Sequence, residues 1–291
     1  MTAQQKIDRT AHRVKMIRSL FPHIMLWIGI AIIIFPIYFI FSASSHTSAE
    51  IQAAPMPLNI GSHLIENYRQ ALFKGTQNMG TPVLIMMKNS LIMALGISVG
   101  KIAVSLLAAF AIVFFKFPLR NFCFWSIFIT LMLPVEVRIM PTYKVISDLG
   151  MLNTYAGLIL PMIVSATAVF LFRQFFMSIP REIAEASQID GATPMQFFRN
   201  ILAPMTRTPI AAMFVIQFIY GWNQYLWPLL ITTKPEFYTL LIGINRMMSG
   251  ADVQIEWQIA MATTLLAMLP PVLVVVLMQK QFISGMTETE K

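Results

Sequence analysis

SIPREIAEASQIDGATPMQFFRNILAPMTRTP, from Ser178 to Pro209, is a polar run set between two long apolar stretches. Two short helices are written in it. Ser178 is placed to cap the first, with Pro180 in its opening turn, and Thr193 caps the second with Pro194 just inside. Between them Gly191 can take a positive φ without steric cost, so the chain reverses there. Ile183, Ala186 and Ile189 mark one apolar face; Phe197, Phe198, Ile201 and Leu202 mark the next. The run reads as helix, turn, helix, with a face on each limb for docking.

What flanks this run sets its surroundings. The chain has 291 residues, 57% apolar and 12% charged, with a mean hydropathy of +0.68. That balance excludes an ordinary soluble globule. A hydrocarbon core about 30 Å thick needs roughly 20 apolar residues per helical crossing. Six segments qualify, near Phe21 to Phe41, Val83 to Phe115, Phe122 to Tyr143, Thr154 to Phe176, Ile210 to Ile231 and Gln258 to Phe282. The second is too long for one straight crossing and must tilt, kink or emerge. No ten-residue alternation of the kind a transmembrane barrel needs is present. The fold class expected is all-α, a polytopic membrane protein of six helices. The first apolar segment lacks a small-residue cleavage site directly after it and is expected to be retained.

Basic residues orient the chain. With the amino terminus inside, thirteen Lys and Arg fall in inside regions, among them Lys116, Arg120, Arg173, Arg181, Arg199 and Arg207, against five outside. That asymmetry puts both termini and the Ser178 to Pro209 run in the cytoplasm. The domains expected are a cytoplasmic segment 1–20, a transmembrane domain 21–283 containing the loop 178–209, and a tail 284–291. The net charge of +8 is scattered over these loops and forms no stripe with interleaved aromatics, so nucleic acid is not an expected partner. Cys123 is single and apolar in context, which fits packing and allows no internal disulfide. The outer loop from Ser42 to Pro82 admits a short amphipathic helix around Gly61 to Lys74, or a plain linker.

Catalysis finds no support. Gly96, Gly100 and Lys101 resemble a phosphate cradle only superficially: one residue is missing between the glycines and no hydroxyl follows the lysine. The pair fits close helix packing better. His12, His23, His46 and His63 make no paired ligand spacing. Charges at membrane depth are costly and normally face a cavity or a partner. Lys101 and Arg138 are candidates for a pathway that attracts an anionic solute; the plainer alternative has Arg138 and Lys88 reaching the interface and Lys101 satisfying carbonyls. At the end of the fifth segment Tyr and Trp suggest an interfacial belt, while Asn223 is a candidate for bonding a polar solute. A secondary transporter would carry paired acids or histidines at mid-membrane, and only Glu136 stands there.

The spacing of Glu185, Ala186 and Gly191, then Ile201 and Pro204, resembles the EAA loop of ABC-importer permeases, with Ser187 in place of the motif's third small residue, an alanine. The resemblance runs further. NSLIMALGISVGKIAVSLLAAFAIV from Asn89, FITLMLPVEVRIMPTY from Phe128, LFRQFF from Leu171 and FIYGWNQYLWPLL from Phe218 are similar to the carbohydrate-type permeases related to the second maltose permease subunit. Within that family they are most similar to the branch importing sn-glycerol-3-phosphate; a neutral sugar or oligosaccharide is the alternative cargo. The resemblance implies a type I permease fold in a bacterial inner membrane, crossing it several times. It implies a heterodimer with a second permease, an ATPase dimer below and a periplasmic solute-binding protein above. The chain itself would be non-catalytic and hold no cofactor, ATP and Mg2+ being used by the ATPase. The ATPase-coupling residues implied are Glu185, Ala186, Ser187, Asp190, Gly191, Ala192, Ile201 and Pro204.

Overall fold

The computed structural model describes residues 3–76, 80–130, 135–249 and 254–287, with side chains among them from 20 to 279 except 135 and 136. The side chains of the amino-terminal cations, of Glu136 and of Lys280, together with Pro134, Asp252 and the last four residues, lie outside that description. The described residues are mostly helical and contain no strand.

The long helices are α1 (Ala3–Ser44), α4 (Val83–Phe114) and α15 (Trp257–Thr287). Each holds an apolar stretch long enough to cross a membrane, Leu20–Ser44, Val83–Phe114 and Trp257–Gln279. Helix α1 continues without a break from the expected amino-terminal segment, and α15 continues to Thr287, past the expected tail boundary at 284. The middle segments are broken, the fourth and fifth contrary to expectation. The third is two helices, α5 (Arg120–Ile129) and α6 (Val135–Asp148), on either side of residues 131–134. The fourth is α7 (Tyr155–Ile159) with a 3-10 turn (Leu160–Met162), then α8 (Ala166–Ser178), bent by 49°. Pro161 ends the first piece, and the Ser165 side chain accepts from Ala168 N–H to start the second. The fifth, α12 (Arg207–Trp222), stops at Asn223, and α13 (Leu226–Ile231) is separate.

Helix α4 is the axis. Thirty-two residues at about 1.5 Å each give a continuous helix of ~48 Å, longer than a single crossing of about 30 Å needs. All four apolar clusters include its residues. Gly96 and Gly100 receive two isoleucines from the fourth segment: a Cβ on either would come within 2.6 Å of Ile159 Cδ1 or 2.5 Å of Ile163 Cγ2. Helix α12 lies against α4 so closely that a Cβ on Gly221 would come within 2.9 Å of Ala94 Cα. These are the small-residue approaches expected where lipid gives no apolar driving force.

The two tryptophans of the fifth segment are buried, contrary to the belt expected of them. Trp222 Nε1 donates to Ala267 O at 3.1 Å, and Trp227 Nε1 donates to Gly157 O at 3.2 Å. Each carbonyl lies four residues before a proline, Pro271 and Pro161, which has no N–H to return. The indoles supply the missing donors in a place where water cannot.

α2 (Ser48–Gln52) and α3 (Leu64–Phe73) occupy the long loop from Ser42 to Pro82. Thr47 and Glu50 form a capping box at α2, and the Thr47 N–H and hydroxyl hold the Glu50 carboxyl below its ordinary value. The amphipathic helix expected around Gly61 to Lys74 is α3, and it docks on the bundle: Asn67 Nδ2 donates to Ser44 O and His46 O, both at 2.9 Å, and Gln70 donates to Glu256. Cys123, expected to be packed, is exposed on α5.

Candidate functional site

The Ser178 to Pro209 run folds as α9 (Arg181–Ile189), α10 (Pro194–Phe197), a π turn (Phe198–Leu202), α11 (Ala203–Met205) and then α12. Thr193 caps α10 as expected, accepting from Gln196 N–H while the Gln196 side chain accepts from Thr193 N–H. Gly191 has φ +76°. Around it Ala192 N–H reaches Ser187 O and Gly191 N–H reaches Gln188 O, both at 3.0 Å, the paired bonds of a Schellman ending. Ser178 does not cap α9. Its hydroxyl donates to Phe175 O at 2.7 Å, belonging to α8, and Pro180 occupies the cap position.

Both limbs are welded to the membrane helices by aromatic rings. Phe110 of α4, Phe172 and Phe176 of α8, and Phe197 and Leu202 of the loop share one apolar cluster, with Phe114, Phe198 and Ile201 against it. Phe110 and Phe198 centroids stand 5.0 Å apart, and Phe114 and Phe197 5.2 Å. On α9 the inward side is Ile183, Ala184 and Ser187. The expected Ile183, Ala186, Ile189 face is therefore only one-third right. Six residues at roughly 100° each turn Ile189 about 120° away from Ile183, and it is 86% exposed. Ala186 is exposed beside it, with Glu185, Asp190 and Gly191. Ala192, Ile201 and Pro204 are half-buried. The loop thus presents an outward patch of Glu185, Ala186, Ile189 and Asp190 on a rigid base.

The polar candidates at membrane depth separate. Lys101 is 6% exposed; its Nζ donates to Gln217 Oε1 at 3.0 Å and stands 3.7 Å from the Tyr220 ring centre. Both partners lie on α12, three residues apart, so one ammonium ties α4 to α12 through a charged hydrogen bond and a ring face. Arg138, on α6, and Asn223, just past α12, are exposed, as is Lys88 on α4. Gln217 and Tyr220 went unremarked in the sequence; the signal was an amide and a phenol at helical spacing inside an apolar run.

Residues 101–288 match the family described as "Binding-protein-dependent transport system inner membrane component". Among characterised proteins the chain is similar to the sn-glycerol-3-phosphate transport system permease protein UgpE of Brucella melitensis, 56% identical over 276 residues, covering 94% of this chain and 98% of the relative. It is likewise 56% identical over 276 residues to that of Rhizobium meliloti, with the same coverage. To that of Escherichia coli O1:K1 it is 53% identical over 273 residues, covering 94% and 97%. Among solved structures its fold is similar to a chain in the crystal structure of a bacterial ABC transporter involved in the import of the acidic polysaccharide alginate. The TM-score is 0.78 at 20% identity, with 93% of this chain and 98% of that one covered.

Proposed function

The chain belongs to the family of binding-protein-dependent transport system inner membrane components, and from that premise we propose that it is the permease subunit through which an ATP-driven importer takes up sn-glycerol-3-phosphate. The solute comes from the relatives' names. The observation that carries the coupling role is the loop: an outward patch around Glu185 and Gly191 on a base fixed to α4 and α8 by phenylalanines.

In this reading the chain crosses the inner membrane six times, α5 and α6 together making the third crossing, with both termini and the loop in the cytoplasm. The lysine and arginine asymmetry supports that orientation. A second permease completes the pathway, an ATPase dimer grips the loop and uses ATP and Mg2+, and a periplasmic binding protein delivers the solute. The chain carries no chemistry of its own. Closure of the ATPase on ATP moves Glu185, Ala186, Ser187, Asp190, Gly191 and Ala192 as one body, Ile201 and Pro204 set the angle of the second limb, and α4 and α8 follow. Differential contact of the loop with the two ATPase states supplies the coupling free energy. Lys101, Arg138 and Asn223 serve the solute pathway. Arg138 meets the phosphate first, and Lys101 leaves Gln217 for the solute when α4 and α12 part.

Two variants test this. Glu185→Ala is expected to insert normally yet release the ATPase during purification and stop uptake of labelled sn-glycerol-3-phosphate; full retention and full uptake would remove the loop from the mechanism. Arg138→Gln should raise the half-saturating solute concentration about tenfold, the scale of one charged hydrogen bond. Unchanged kinetics would return Arg138 to the membrane interface.

A further inference from the structure

A second feature stands beside the loop, where α4 ends, α5 begins and α8 meets α9. A cleft of about 1120 Å³ opens there, above the ~300–1,000 Å³ of an ordinary small-ligand pocket. Its cations are Lys116, Arg120, Arg173 and Arg181, and its one carboxylate is Glu185. Arg173 lies five residues before the end of α8, about 8 Å inside the helix end. Its guanidinium carbon stands 4.1 Å from the Phe124 ring centre, and its Nε is buried without a hydrogen-bond partner. A buried donor of a charged group left unpaired is costly unless something supplies the acceptor.

Apart from Asn121 and Gln188 the rest of the lining is apolar, and part of it is open to the outside. Phe122 is 66% exposed and Leu119 71%, and Met177 is exposed with them. Leu119 holds φ +64°, a conformation a leucine rarely adopts, at the turn into α5. Exposed apolar side chains above a basic floor, at the ends of membrane helices, match a molecule with an anionic head and hydrocarbon tails. A soluble anion would gain nothing from Phe122 or Met177. A protein partner would find four cations and one acid on a concave wall; the exposed α9 residues outside the cleft, Ala186, Ile189 and Asp190, fit one better.

We propose that this cleft holds an anionic phospholipid of the inner leaflet, its phosphate on Arg120 and Arg173 and its chains along Phe122 and Met177. The proposal rests on the orientation given above, which puts this end of α4 and α8 in the cytoplasm. Basic pockets between helices on that face recognise anionic headgroups by charge and depth together. Because α9 forms one wall through Arg181, Ala184, Glu185 and Gln188, the lipid would also brace the coupling loop beside the residues that meet the ATPase.

The test uses the complete transporter, delipidated in detergent and returned to defined lipid, with bound lipid counted by native mass spectrometry. One phosphatidylglycerol should be kept in preference to phosphatidylethanolamine. Arg120→Gln with Arg173→Gln should weaken that retention about tenfold or more, as expected for two cations at a headgroup. If that pair fails to assemble, Lys116→Gln with Arg120→Gln, outside the α8 core, must show a loss in the same direction. Equal retention of the two lipids, or unchanged retention in the variants, overturns the proposal. Displacement of the lipid by millimolar inorganic phosphate would identify a soluble-anion site instead. Loss of the ATPase from the variants with lipid retention intact would assign the cleft to the ATPase. Uptake and ATPase retention by the unmodified complex report on the functional reading separately, whatever the lipid count.

Discussion

Gly191 turns the chain between α9 and α10, and only its backbone requires glycine. A Cβ there would meet nothing within 4 Å, so the whole objection to a side chain is the φ of +76°. Gly191→Asn should therefore keep uptake, since asparagine tolerates this region. Gly191→Ala should weaken the turn by about 1–2 kcal/mol. Gly191→Pro, fixed near φ −65°, should abolish uptake while the protein still inserts; uptake in labelled cells ranks the three. This residue was legible in the sequence because its role is local, set by the capped helices on either side. Lys101 was legible only by half. Its burial follows from its place in an apolar span, but Gln217 lies 116 residues away, and no local pattern pairs them.

At the scale of helices, hydropathy found where the chain is apolar and missed where it breaks. Pro161 with Ser165 interrupts a helix inside an apolar stretch, and Asn223 after Trp222 ends one at a polar dip too short to split a span-length window. The tryptophans were misjudged for a related reason. Depth along a span is the same for an interfacial ring and for an indole answering a carbonyl on another helix; only the prolines at 161 and 271 tell them apart. The Trp222 pairing can be measured. Trp222→Phe should destabilise the chain by about 1 kcal/mol, the scale of an interhelical hydrogen bond in a membrane. In a Pro271→Ala background, where residue 271 regains its N–H, the same substitution should lose much of that effect. Thermal unfolding of the four variants in detergent gives the cycle, and equal losses in both backgrounds would show the indole bond to be incidental.

The whole molecule is organised around α4. At one end Phe110 and Phe114 hold the loop 178–209. At the other, Asn89 donates to Glu236 O and Tyr238 O, and Ser90 accepts from Leu240 N–H at the start of α14 (Leu240–Met248). An unbroken rod carrying both attachments can pass motion from one face to the other. Phe114→Ala should leave the ATPase bound and hydrolysing while uptake falls, because the ring between loop and rod is gone; parallel measurement of hydrolysis and uptake separates this from loss of assembly. As a permease the chain would be moved by nucleotide spent elsewhere. The most direct test is purified chain in sealed vesicles, with and without the second permease, ATPase and binding protein, assayed for sn-glycerol-3-phosphate entry. Entry only with the full set and ATP is the predicted result; entry through this chain alone, driven by a proton or sodium gradient, would contradict it.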